Sequence, residues 1–115
     1  MPFLTATRKF EFASSHFLEN YKGKCEHMHG HNYKLHITVK GEIANDGLVM
    51  DFADIKKIVK NKVIEKLDHK HLNDILKNPT AEHISIWIWD ALKDHMPLHK
   101  IKLYETDNCY VEYEG

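Results

Sequence analysis

Residues 31–40, with the sequence HNYKLHITVK, carry the clearest structural signal in the chain. Every second position is apolar: Tyr33, Leu35, Ile37 and Val39. Polar or charged side chains occupy the positions between them. Because successive side chains of a β-strand point to opposite faces, this alternation predicts a strand with one buried and one solvated face. We expect the strand to continue to about Ile43.

Signals on both sides of this strand predict a ββααββ order. The predicted elements are strands at 3–15, 31–43, 99–106 and 109–114 and helices at about 52–66 and 80–96. Asp51 is a suitable cap for the first helix, and Asn78-Pro79-Thr80 opens the second. Residues 67–77 are too polar for a core element and predict a loop that carries a site. We therefore expect an α+β fold, with a four-stranded antiparallel sheet and both helices on one face.

The predicted sheet has two open edges and one face that no helix covers. Proteins commonly hide such edges by closing the sheet into a barrel, which abolishes them. A chain of 115 residues has room for a single core, so residues 1–115 are expected to form one domain. The sequence therefore predicts a homo-oligomer in which several subunits close a ring.

Composition excludes several classes of partner. A formal net charge of -1 gives no electrostatic reason to expect nucleic acid. The longest nearly apolar run, residues 84–89, is far shorter than the ~20 residues of a membrane-spanning helix, so no membrane partner and a cytoplasmic location are expected. The two cysteines, Cys25 and Cys109, form neither a disulfide framework nor a metal knuckle. Cys109 belongs to an alternating segment and is expected in the core.

Ten histidines are the unusual feature of the composition, and several lie near residues 25–36. His29 and His31 are two apart at the start of the predicted strand, so both rings can face one ion. A hairpin of the first two strands would bring His16 beside them. Three histidines without a fourth protein ligand are typical of a catalytic zinc, which keeps one position open. The alternative is that His29 and His31 are ordinary polar residues near a strand end.

Four further residues are candidates for proton transfer. Cys25 lies in a polar, histidine-rich segment, where a metal or imidazolium lowers a thiol's pKa and makes a thiolate base available. Asp68 and His69 are adjacent in the predicted loop and could serve one proton-transfer site. Glu105 lies on the third predicted strand, beside Thr106. For each of these an ordinary loop or exposed strand residue is the alternative.

Five motifs together resemble the 6-pyruvoyltetrahydropterin synthase / 6-carboxytetrahydropterin synthase family, and they cover nearly the whole chain in order. The motifs are Phe10-x-Phe12-Ala13-x-x-His16, residues 25–33 (CEHMHGHNY), Leu67-Asp68-His69-x-x-Leu72-Asn73, Pro79-Thr80-x-Glu82 and Glu105-Thr106. The C-x-x-x-H-G-H block, with a distant upstream histidine and a downstream Asp-His pair, is the most specific part.

This resemblance implies a tunnelling fold, in which trimers close a barrel and two trimers stack into a hexamer. It implies 7,8-dihydroneopterin triphosphate as substrate and Zn2+ as cofactor. The implied roles are zinc ligation by His16, His29 and His31, a general base at Cys25, a proton relay by Asp68 and His69 from a neighbouring subunit, and pterin binding by Glu105 and Thr80. Glu105 is also implied to be coupled to the relay.

The spacing of the cysteine and the H-G-H block, together with the short chain, is more similar to the bacterial and archaeal 6-carboxytetrahydropterin synthases of queuosine or other 7-deazapurine pathways than to the longer animal enzymes. Glu26 complicates this choice, because a folate-linked branch of the family uses a glutamate in place of the cysteine. A dual activity that also releases 6-hydroxymethyl-7,8-dihydropterin, or a 6-pyruvoyltetrahydropterin product, stays open. The competitor from another class is a non-catalytic zinc carrier with Cys25 as a fourth ligand.

Overall fold

A computed structural model describes residues 2–16 and 29–115, with His29 described by its backbone alone. Strands β1 (Phe3–His16) and β2 (His29–Glu42) form a long antiparallel pair, in register from Phe3 opposite Glu42 to His16 opposite His29. The alternating apolar side chains of β2 have no exposed surface: Tyr33, Leu35, Ile37 and Val39. The half-buried strand predicted from residues 31–40 is confirmed.

Two helical segments cover the apolar face of the sheet. Helix α1 (Phe52–Val59) begins at Asp51, whose carboxylate accepts the Ala53 N–H, and continues through a π-helical segment (Lys60–Ile64) and a last α-helical turn (Glu65–Leu67). Helix α2 (Ala81–Leu92) begins at Thr80. The helices bury one side each: Ile55, Val59 and Val63 from the first, and Ile84, Ile88 and Leu92 from the second.

In the part of the chain that the structure describes, no helix combines the length and apolarity needed to cross a membrane.

The α+β class and the two helices are confirmed, but the predicted count of four strands is wrong. The sheet has five strands, because Lys70–His71 forms a short strand β3 within the predicted loop. With β4 (Leu98–Thr106) and β5 (Cys109–Tyr113), the strand order is β3-β1-β2-β4-β5. Strand β3 pairs in parallel with Ser14 and Ser15 of β1, so the sheet is mixed. A strand of two residues shows no alternation, and main-chain pairing alone defines it. A 3-10 turn (Leu72–Asp74) follows it.

Strands β4 (Leu98–Thr106) and β5 (Cys109–Tyr113) complete the sheet as an antiparallel pair. The prediction that Cys109 belongs to the core is wrong, since its thiol is free and the residue is exposed. Cys109 directly follows the turn between the two strands, where the sheet is no longer covered. Its alternation partner Val111 is partly buried against the core.

The face of the sheet opposite the helices carries polar and aromatic side chains. The Tyr104 and Tyr110 rings lie 4.6 Å apart, and the Lys102 ammonium lies 4.3 Å from the Tyr110 ring. Burial, with Lys9 and Lys102 nearby, lowers the pKa of His36 on the same face. This face is therefore not a second apolar core.

Replacing Ile37 with alanine should cost about 2–5 kcal/mol of unfolding free energy, because the side chain has no exposed surface on the central strand and its loss leaves a cavity. Urea denaturation at one fixed protein concentration measures the loss. Lys40→Ala, at an exposed position of the same strand, is the matched control. A loss for Ile37→Ala no larger than that of the control would show that β2 is not the centre of the core.

Candidate metal centre and active site

Donor atoms of His16, His31 and Glu105 lie within 4.8 Å of one another. The three residues come from the last residue of β1, the start of β2 and the end of β4. The register explains the convergence, because the β1–β2 pairing sets His31 opposite Ser14, two residues from His16. The β2–β4 pairing sets Tyr104, next to Glu105, opposite Lys34. The site thus lies where three neighbouring strands end.

His16 is fully buried and held by the loop before α2. Its Nδ1 lies 2.9 Å from the Pro79 carbonyl oxygen, and the Tyr33 hydroxyl lies 3.4 Å from the same nitrogen. Because a carbonyl only accepts hydrogen bonds, Nδ1 carries the proton and donates it. In that tautomer Nε2 is the ring nitrogen whose lone pair can ligate a metal, and a carbonyl is the kind of outer partner that orients metal-binding histidines.

His31 and Glu105 are in direct contact, with 3.2 Å between the histidine Nε2 and a carboxylate oxygen. Their side chains are 16% and 24% exposed, so the pair sits near the surface while His16 is enclosed. The rings of His16 and His31 meet edge to face, 5.1 Å between centroids. Two imidazoles and a carboxylate are donors that zinc accepts, and ligands of a tetrahedral zinc lie roughly 3.3 Å apart. These residues fit a zinc ion.

Three residues named in the sequence analysis lie wholly or partly outside the described part of the chain. His29 pairs through its backbone with His16, and its side chain lies outside the described part of the chain. Cys25 and Glu26 both lie in 17–28, also outside the described residues. The third histidine ligand and the thiol base accordingly stay predictions.

The Asp68-His69 pair is fastened to β1 through the backbone of Ala13. An Asp68 carboxylate oxygen accepts the Ala13 N–H at 2.9 Å, and the His69 N–H donates to the Ala13 carbonyl at 2.6 Å. His69 has a φ of 56°, a left-handed conformation that is uncommon for histidine and that these two bonds support. Its Nδ1 lies 3.4 Å from the same carboxylate oxygen. The two side chains are therefore in contact, which adjacency in the sequence alone did not require.

An open cavity of about 650 Å³ lies beside the donor cluster. Its lining includes the side chains His31, Asp68 and Glu105 together with Lys34. Asp107 lies 2.7 Å from the Lys34 ammonium, and that hydrogen bond raises the pKa of Lys34, which keeps the amine cationic. His69, with His31, lines a second, adjoining cavity of about 460 Å³. Within one chain, Asp68 and His69 therefore face different openings.

Thr80 does not line either of these two cavities in the single chain. Its hydroxyl accepts the His83 N–H at 3.1 Å and caps α2, so the structure assigns it a structural contact. Sequence reasoning missed the Pro79 carbonyl and the Lys34–Asp107 pair. A main-chain acceptor leaves no mark on residue type, and the alternation of β2 predicts only that Lys34 belongs to its solvated face.

The fold and the donor cluster define an α+β protein with a candidate metal centre at the ends of its strands. The sequence profile described as 6-pyruvoyl tetrahydropterin synthase matches residues 5–115. The chain therefore belongs to the 6-pyruvoyl tetrahydropterin synthase family, enzymes of pterin metabolism, and the resemblance seen in the motifs is confirmed.

Individual relatives agree with this membership. The chain is 44% identical to the 6-pyruvoyl tetrahydrobiopterin synthase of Dictyostelium discoideum, covering 95% of this chain and 94% of that protein. It is 29% identical to the 6-carboxy-5,6,7,8-tetrahydropterin synthase of Haemophilus influenzae, covering 94% and 96%. The solved structure of Caenorhabditis elegans 6-pyruvoyl tetrahydropterin synthase matches with a TM-score of 0.91 at 29% identity, covering 100% of this chain and 97% of that one.

Proposed function

We propose that the chain is a zinc-dependent lyase that converts 7,8-dihydroneopterin triphosphate to 6-carboxy-5,6,7,8-tetrahydropterin, with loss of triphosphate and acetaldehyde. The observation that carries the proposal is the convergence of His16, His31 and Glu105 beside a cavity that Asp68 also lines. The family match over residues 5–115 supports a pterin substrate and one functional domain over residues 1–115. The Cys25-x-x-x-His29 spacing and the Haemophilus relative favour the carboxylated product.

In this proposal His16, His29 and His31 hold the zinc. Bound there, zinc would act as a Lewis acid that stabilises negative charge developing on the hydroxyl-bearing side chain of the substrate. Cys25, as a thiolate, removes the proton from a side-chain carbon. Asp68 orients His69 through their contact, and the pair passes protons to and from the reacting carbons. Glu105 anchors the pterin by accepting two ring N–H groups, which positions the reacting carbon.

A second product is favoured by the Dictyostelium relative, which is a 6-pyruvoyl tetrahydrobiopterin synthase at 44% identity. Both products begin with the same proton removal and loss of triphosphate, so the described site serves either. Glu26, next to Cys25, supplies a carboxylate that could instead favour cleavage to 6-hydroxymethyl-7,8-dihydropterin.

Chromatography of the products distinguishes these outcomes. Zinc-loaded wild type, Glu26→Ala and Glu26→Gln are each incubated with 7,8-dihydroneopterin triphosphate. We expect 6-carboxytetrahydropterin and acetaldehyde from all three proteins. A 6-hydroxymethyl product that disappears only in the Glu26 variants would establish a dual activity, and a 6-pyruvoyl product would replace the proposed one. Zinc bound by four protein ligands, with no turnover, would favour the carrier module.

We also propose a homo-oligomer, a hexamer built as a dimer of trimers. In the described residues, β5 pairs only with β4, and the outer edge of β1 pairs only through Ser14 and Ser15. Backbone groups along the rest of β1 are thus available to a β5 strand of another copy, which would close the barrel. Native mass spectrometry should find the mass of six chains.

The cytoplasmic location and the lack of a nucleic-acid partner stay predictions.

A further inference from the structure

Glu105 occupies a position that a pterin anchor alone does not require. Its carboxylate lies 3.2 Å from His31 Nε2, within the cluster of donors that includes the buried His16. An anchor that only binds ring N–H groups needs to face the cavity, and the Glu105 carboxylate in addition contacts a donor of this cluster. The carboxylate is thus positioned for the metal as well as for the cavity that it lines.

The backbone at Glu105 explains this orientation. In the β4–β5 pairing, Tyr104 lies opposite Tyr110 and Thr106 opposite Cys109, so Glu105 is the extra residue of a bulge. A bulge leaves one residue outside the ladder and redirects its side chain, and such features occur next to active sites. Glu105 is 24% exposed, which leaves its side chain room to change rotamer. One carboxylate can therefore serve two neighbouring positions.

We propose that Glu105 is a ligand of the metal in the substrate-free protein and leaves it for the pterin when substrate binds. This inference rests on the proposed function, because the second position is the pterin anchor. The 3.2 Å contact matches the roughly 3.3 Å separation of two ligands on one tetrahedral zinc. Glu105 would then occupy the coordination position that the proposed histidine ligands leave open, and its departure would free the open position that catalytic zinc requires. Pterin binding and the opening of the site are then one event.

Metal affinity without any pterin tests the ligand role. Zinc affinity of the full chain is measured by chelator competition for wild type, Glu105→Gln and the control Thr106→Ala, whose exposed side chain lines the same cavity. We expect Glu105→Gln to weaken zinc binding by at least the ~10–100-fold that losing an outer partner of a metal ligand costs. The control should match wild type. Thermal unfolding of the metal-free proteins checks that the fold is retained.

The visible spectrum of the cobalt(II)-loaded proteins distinguishes two roles of Glu105. The residue either binds the metal directly or only orients His31. Loss of a ligand changes the coordination set and therefore the band intensities, whereas loss of an outer partner leaves them as in wild type. A Glu105→Gln spectrum equal to wild type, or a zinc affinity within twofold of wild type, would overturn the inference. Neopterin added to wild type should change the cobalt spectrum, and an unchanged spectrum with neopterin bound would refute departure of Glu105. The proposed function fails separately if wild type binds zinc, with Glu105 as a ligand, but does not turn over 7,8-dihydroneopterin triphosphate.

Discussion

Cys25→Ala should abolish turnover while the protein retains its zinc. Cys25 precedes His29 by four residues in the sequence, and it is a separate residue from the three proposed histidine ligands. A positioned base contributes typically ~10²–10⁴-fold to a proton transfer, and no other group is proposed to remove this proton. We expect at least a hundredfold loss of product formation, measured under saturating substrate, and a zinc content equal to wild type.

Cys25→Ser is the matched variant, because it keeps the size and polarity of the side chain and removes only the low pKa of the thiol. It should lose nearly as much activity as Cys25→Ala. Full activity in both variants would assign the base elsewhere, and Glu26, adjacent to Cys25 in the sequence, would be the next candidate. Loss of zinc in both would make the thiol a fourth ligand and would support the carrier module.

His16→Asn should eliminate tight zinc binding and activity with little change in the stability of the metal-free protein. The side-chain N–H of asparagine can replace the Nδ1 donor that bonds the Pro79 carbonyl at 2.9 Å, but asparagine has no equivalent of Nε2. His16→Ala removes both groups and leaves a buried carbonyl without its donor, a loss of about 1–3 kcal/mol. The two variants together separate the metal role from the structural role.

The measurements are zinc stoichiometry, turnover and urea denaturation of the metal-free proteins. His36→Ala is the control, since His36 lies on the open face of the sheet and is expected to leave zinc and activity unchanged. Stoichiometric zinc in His16→Asn would remove His16 from the ligand set. Equal stability of the asparagine and alanine variants would show that the Pro79 contact contributes nothing to the fold.

The parts of the fold that sequence predicted are those in which side-chain pattern and backbone agree. Alternation at Tyr33, Leu35 and Ile37 predicts β2, and the hairpin it forms with β1 brings His16 beside the H-G-H block. The same reasoning could not find β3, because two residues have no period. It misplaced Cys109, since a strand that alternates can still begin beyond the covered part of the sheet.

The sequence did not predict the contacts of Glu105, for a different reason. A bulge between Tyr104 and Thr106 depends on how β4 and β5 pair, which the residue types of β4 do not specify. The contact with the Pro79 carbonyl could not be predicted from residue types, because every residue has a main-chain carbonyl. Both contacts are made by tertiary structure, and both bear directly on the candidate metal centre.

The hydrogen bond from His16 to Pro79 connects the beginning of α2 to the candidate metal centre. Thr80, the next residue, caps that helix, so the imidazole that would carry zinc is two peptide units from the first helical turn. Metal affinity and local folding are linked wherever a ligand is ordered by the structure it stabilises. Amide hydrogen exchange at His83 and Ile84 should therefore slow when zinc is added, and a spectroscopic label on this turn would report loading of the enzyme from outside its cavity.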